Sequence, residues 1–191
     1  MLPIDPLMLE HRLIERMTRL IHQEMVRIRD NIAVDVGFAF VDQRFLDAAV
    51  DFHNHYVNRL HHGKEEGILF AALAEKPLST GHLRMMKELQ QEHIWGRQTT
   101  TNLEVASKQY NEGCLEILPD LLNSLGTLAD FYSQHIAKED RHFFLPAMEY
   151  FTREEKEVIL SQMADLDRGF ALAKYQKLVA DWEASGCKCH L

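Results

Sequence analysis

Eleven histidines stand in a chain of 191 residues, and four of them have a glutamate four positions on: His11/Glu15, His61/Glu65, His62/Glu66 and His135/Glu139. Chance pairing of the two residue types gives roughly one such step. On a helix, positions i and i+4 share a face, so each pair presents an imidazole and a carboxylate in one direction. That donor set suits a divalent transition metal such as iron, manganese or zinc. Two of the pairs lie in a decamer written twice, HHGKEEGILF at 61–70 and HIAKEDRHFF at 135–144. Superposing the copies matches His61 with His135, Glu65 with Glu139 and Glu66 with Asp140. The register leaves His62 and Glu66 as neighbours of a site built on His61 and Glu65.

The elements that must position these residues read as helices. Nine Gly and five Pro are few, and helix formers dominate. Asp5-Pro6 opens a first helix that carries Leu9, Leu13, Met17, Leu20 and Ile21 toward Asp30. The stretch 32–40, with Val34, Asp35, Val36 and Gly37, reads as a loop. A second helix runs from about Asp42 to about Leu73 and stops at Lys76-Pro77-Leu78; Ser79 or Thr80 caps a third, which fades at Asn111-Glu112-Gly113. A fourth starts near Pro119 and ends near Pro146, and the capping box of Thr152 and Glu155 opens a fifth that reaches about Trp182. Short connections make sequential helices antiparallel. The expected fold is all-α, an up-down-up-down four-helix bundle over 1–150, an appended C-terminal helix over 151–183 and a flexible cysteine-containing tail over 184–191.

In that bundle His61 and His135 fall at similar depth, a layer also reached by Glu10-His11 on the first helix and Glu92-His93 on the third. Each half of the chain then supplies one histidine from its first helix and an H-x-x-x-E from its second. Four imidazoles and two carboxylates converge about a pseudo-twofold axis. Two metal ions bridged by Glu65 and Glu139 would use that set fully.

The constellation E-H … H-x-x-x-E-E-x-x-L-F … E-H … H-x-x-x-E-D resembles the hemerythrin-like proteins with an HHE cation-binding domain, over about residues 5 to 150. The resemblance implies a non-haem di-iron centre in a four-helix bundle, with oxygen, nitric oxide or peroxide as ligand. Carried over by residue, the metal ligands are His11, His61, Glu65, His93, His135 and Glu139, the two glutamates bridging. Oxygen-carrying hemerythrins have a second histidine one turn from the first on the third helix, whereas Leu89 and Arg97 occupy those positions here. One ligand fewer leaves a position for water, a small molecule, or a side chain such as Glu15, Tyr56 or Tyr132. Zinc or manganese fits the same donors.

The remaining histidines divide. His22, His53, His55, His82 and His190 read as ordinary helical or terminal residues, and His62 and His142 as hydrogen-bonding neighbours of the site. Lys64 and Lys138 repeat with the motif and read as solvated ion-pairing residues. The E-x-x-H step that ferritin-like di-iron bundles need on two helices occurs once, at Glu139/His142. No phosphate loop, H-E-x-x-H or nucleophile triad is present. A net charge of −8 argues against nucleic acid, and Cys114, Cys187 and Cys189 do not make a disulfide framework. Without a signal-peptide pattern or membrane-length apolar span, the expected location is cytoplasmic. Three functions share these ligands: binding or sensing of O2 or NO, a di-iron enzyme (an oxidase or peroxidase-like scavenger, or an iron donor in metal-centre repair), and a redox-inert zinc or structural bundle.

Overall fold

Side-chain caps set three of the helix starts in this computed structural model, which describes residues 1–35 and 37–186. Helix α1 (Ile4–Val34) opens after Pro3, with the Asp5 carboxylate accepting from the Leu2 amide at 2.6 Å. It continues four residues past its expected end. Helix α2 (residues 43–74) begins where Asp42 accepts from the Arg44 amide. Helix α3 (Thr80–Asn111) is capped by Ser79, which accepts from the His82 amide, and closes at Gly113, whose φ of 97° suits glycine. Helix α4 (residues 118–147) has Pro119 in its first turn. Thr152 and Glu155 form the expected capping box of α5 (Arg153–Arg168).

The C-terminal segment differs from the single helix expected through Trp182. It breaks at 169–171, where the Gly169 and Phe170 amides turn back to the carbonyls of Leu166 and Asp167, and resumes as α6 (Leu172–Gly186). Residues 187–191, which include Cys187, Cys189 and His190, lie outside the described residues. Among the described residues there is no strand, and no helix is long and apolar enough to cross a membrane.

Helices α1 to α4 form the bundle: α1 packs on α4, α4 on α3 and α3 on α2, while α5 lies against α2, and α6 against α1 and α2. Two features of this bundle matter for a site. Helices α2 and α4 widen locally into π-helical turns, at 52–61 and 65–70 in α2 and at 139–143 in α4; such turns concentrate at functional positions because they re-aim side chains. The apolar interior is also divided in two. One cluster runs from Leu13 to Ile28 of α1 with Phe52, Leu60, Leu103, Leu125 and Ile136, closed by Tyr175 and Val179 of α6. The other joins Ile4, Leu7, Phe70, Leu89, Phe143 and Phe144, closed by Ile159 and Met163 of α5. Between them lies a layer of buried polar side chains.

Candidate metal centre

All six sequence-assigned residues meet in that layer, none more than 2% exposed. His11 of α1 and His61 of α2 turn their Nε2 atoms to the carboxylates: His61 Nε2 is 3.3 Å from Glu65 Oε1, and His11 Nε2 is 3.3 Å from Glu139 Oε2 and 3.8 Å from Glu65 Oε1. His93 of α3 and His135 of α4 address the opposite oxygens. His93 Nε2 lies 3.3 Å from Glu65 Oε2 and His135 Nε2 3.4 Å from Glu139 Oε1, the two nitrogens standing 3.1 Å apart. Each carboxylate thus offers one oxygen to each half of the layer. Ligand atoms of His11, His61, Glu65 and Glu139 lie within 4.8 Å of one another, a grouping that could hold a metal ion, and so do those of His62, His93 and His135.

The outer face of each of the four sequence-assigned imidazoles is held by an acid, and the four acids come from the repeated motifs. His61 Nδ1 donates to Glu10 (2.9 Å) and His135 Nδ1 to Glu92 (2.8 Å). His11 Nδ1 donates to Asp140 and His93 Nδ1 to Glu66, each at 2.7 Å. Because a carboxylate can only accept, these bonds put a proton on Nδ1 and turn Nε2 to the centre. A cation backs each acid in turn: Lys64 on Glu10, Lys138 on Glu92, Arg12 on Asp140 and Arg97 on Glu66. The doubled H-x-x-K-E-[ED] now has a part for every letter. Its histidine and first glutamate face inward, its lysine grips the acid of the preceding helix, and its last acid orients a histidine from the other half of the chain.

Lys64 departs from the solvated lysine expected of it. Its partner in the repeat, Lys138, is a quarter exposed, but Lys64 is fully buried, with its ammonium also 2.5 Å from Asp167 of α5. The C-terminal region, absent from the repeat, covers this one copy. Replacing Lys64 by Met takes the lysine from Asp167 and leaves Glu10 with His61 alone; loss of one buried partner costs about 3–5 kcal/mol, and the partial exposure of Asp167 and the remaining His61 bond place the effect at the lower end. A urea midpoint of the metal-free variant equal to wild type would refute this.

The other sequence candidates sort clearly. Glu15 pairs with Arg12 on the surface and lines a groove with His22 and Asp130. Tyr56 stacks on Phe52 (4.9 Å) and packs against Tyr175. Tyr132 does border the layer, its ring 6.4 Å from those of His62 and His135 and its hydroxyl buried without a partner among the described residues. That hydroxyl fits because residue 96 is glycine: a Cβ there would meet it at 3.3 Å and the Phe131 ring at 3.0 Å. His142 is exposed, not beside the site as expected, because the π-helical turn at 139–143 carries it past the layer. His55 is exposed, His82 pairs with the Tyr150 hydroxyl (2.8 Å), and His53 is a buried core histidine whose Nδ1 donates to the Ala49 carbonyl. Leu89, at the position of the missing third-helix histidine, is apolar core.

The electrostatics show what the layer lacks. Both oxygens of Glu65 and Glu139, and His11 Nε2, are buried with no hydrogen-bond partner among the described residues. Burial works to raise the Glu65 carboxyl, yet His61, His11 and His93 together hold it well below the usual range. Burial and Glu65 likewise push up Glu139, but His135, His11 and His93 bring it down to about 2. In return, and against burial, Glu139 and Glu66 raise His93 to about 9, and Asp140, Glu139 and Glu65 hold His11 well above its ordinary value. Two buried carboxylates are thus kept ionised by imidazolium protons standing where a divalent cation would do better. The donor set fits a metal pair.

Family comparison agrees. The pattern of the hemerythrin HHE cation-binding domain matches residues 2–147. The chain belongs to this family. As a hemerythrin-family protein it is a metal-binding helical bundle, and the matched span contains the whole polar layer while α5 and α6 lie beyond it. Comparison with curated proteins and with solved structures found no match.

Proposed function

We propose that this hemerythrin-family chain holds two iron ions, bridged by Glu65 and Glu139, and uses them to bind or sense O2, NO or a related small oxidant. His11 and His61 would serve one ion, His93 and His135 the other. The observation that carries the reading is the set of four buried carboxylate oxygens without hydrogen-bond partners among the described residues, faced from both sides by imidazole Nε2 atoms. Iron bound there supplies redox-active coordination of small molecules. The residues supply the rest: charge neutralisation by Glu65 and Glu139, fixed imidazole orientation from Glu10, Glu66, Glu92 and Asp140, and exclusion of water by the two apolar clusters. Burial of the donors supports a diatomic or peroxide ligand over an organic substrate, since no large molecule reaches side chains exposed by at most 2%. Binding is favoured over turnover because the four outer carboxylates are already engaged in holding histidines.

Elemental analysis of the purified chain, with its visible spectrum before and after the reduced form meets O2, NO and peroxide, tests the reading. Two irons per chain and bands that respond to one of these support it. Sustained consumption of peroxide or NO would favour an enzyme, and stoichiometric zinc without visible absorption a redox-inert bundle. His61→Ala and His135→Ala should each lower metal content while His22→Ala, on the surface, should not; equal content in all three would refute the ligand set.

Uptake should also depend on pH in a stated direction. Metal must displace protons from His11, held well above its ordinary range, and from His93, raised to about 9, so apparent affinity rises with pH. Proton release on titration with metal, measured across that range, checks the sign; release that grows above pH 9 would contradict it.

A further inference from the structure

His62 is the one histidine of the layer that neither the repeat nor an acid accounts for. It is 1% exposed, and neither ring nitrogen has a hydrogen-bond partner among the described residues. Leaving a buried polar group unsatisfied costs about 1–3 kcal/mol. His53, equally buried, at least satisfies Nδ1 on a backbone carbonyl; His62 satisfies nothing. Its ring lies flat on His93, centroids 3.8 Å apart and planes within 9°, and 6.0 Å from the ring of His135. One nitrogen from each of the three rings falls in a group within 4.8 Å. The Nδ1 atoms of His93 and His135 are occupied by Glu66 and Glu92, so the free nitrogens of all three converge.

We propose that His62 is the third imidazole of the second half-site, ligating the metal ion held by His93 and His135. The inference rests on the two-metal reading above and deepens it. The local fold explains how one helix can serve both ions. Neighbouring residues on a regular helix diverge by about 100°, but α2 carries π-helical turns on either side of 62–64, at 52–61 and 65–70. With that widening His61 and His62 both reach the layer, His61 toward His11 and His62 toward His93. Position 89 on α3 is apolar core; α2 supplies the imidazole that α3 does not.

The repeat breaks its own symmetry at this position, since the residue matching His62 in the second decamer is Ile136, buried in an apolar cluster. The two ions would therefore differ. The second has three imidazoles and two carboxylate oxygens, whereas the first has two imidazoles and two oxygens. On that count an incoming small ligand would bind at the first ion, on the side of His11, whose ring stacks on Phe144 at 5.5 Å.

The test is an anaerobic titration of the metal-free full-length chain with ferrous iron, comparing wild type with His62→Ile, the substitution the repeat itself makes. Wild type should take up two ions. The variant should keep one at wild-type affinity and bind the other at least about tenfold more weakly, since loss of a mere outer partner of a ligand already costs about 10–100-fold, with the change confined to one of the two ferrous Mössbauer signals. Two ions at unchanged affinity with both signals unchanged would overturn the proposal. Should the variant not fold, X-ray absorption on the loaded wild type decides: five imidazoles shared by the pair support the assignment, and four overturn it. A wild-type chain that takes up fewer than two ions overturns the two-metal reading itself, and this proposal with it.

Discussion

Glu65→Gln leaves the chain with at most one retained metal ion. Glu65 sends one oxygen to each half of the layer, 3.3 Å from His61 Nε2 and 3.3 Å from His93 Nε2, so a neutral amide of the same shape damages both sites at once. Glutamine keeps a single acceptor and turns an NH2 toward the second ion, where its hydrogens repel a cation. Outer partners of metal ligands cost about 10–100-fold in affinity when lost, and a bridging donor should exceed that. Glu66→Gln is the contrast, because Glu66 only orients His93 from the solvent side and its loss should weaken one ion while leaving both measurable. Metal per chain after gel filtration reads the difference. Two ions retained by Glu65→Gln would remove the bridging role.

Stripping the metals should lower thermal stability by a large margin. Ions bound to the folded chain alone stabilise it by about 4 kcal/mol per site when free metal exceeds Kd a thousandfold. At about 2–4 °C per kcal/mol for a chain of this length, two sites move Tm by roughly 15 °C or more. The metal-free layer is not empty of charge, since imidazolium protons keep Glu65 and Glu139 ionised, so the chain should stay folded at neutral pH with a lower Tm. Raising pH through about 9 takes the proton from His93. The stability linked to its raised pKa is complete below the unfolded value near 6.5 and is lost across that rise, so the metal-free form should lose Tm between neutral and alkaline pH while the loaded form does not. Calorimetry with and without chelator, at two pH values, checks both statements; equal Tm with and without chelator would oppose a buried metal pair.

Much of this was legible in the residues. The spacing of His61 with Glu65 and His135 with Glu139, at one depth in an antiparallel bundle, placed both bridging candidates, and Glu10-His11 and Glu92-His93 completed the layer. The role of Glu10 and Glu92 was written in the same doubled E-H step, yet their bonds run across helices to His61 and His135, a pairing that only packing reveals. Lys64 was misjudged because its burial comes from Asp167, on a helix outside the repeat. The π-helical turns leave no compositional mark, and they decide the fate of His62 and His142. The break at Gly169 fell inside an amphipathic pattern that continues on both sides, so periodicity alone joined α5 to α6.

The division of the apolar interior has a consequence for how the molecule comes apart. Two separate contact networks, one closed by α6 and the other by α5, meet at a charged layer rather than in a common core. With ions in place, ligands from all four bundle helices lock the halves into one cooperative unit. Without them, each half can open at its own free energy. The network of Ile4, Leu7, Phe70 and Phe144, with fewer buried side chains, is the weaker half. Its excursions uncover the layer while the larger half stays folded, giving ions a way in and out that does not require the chain to unfold.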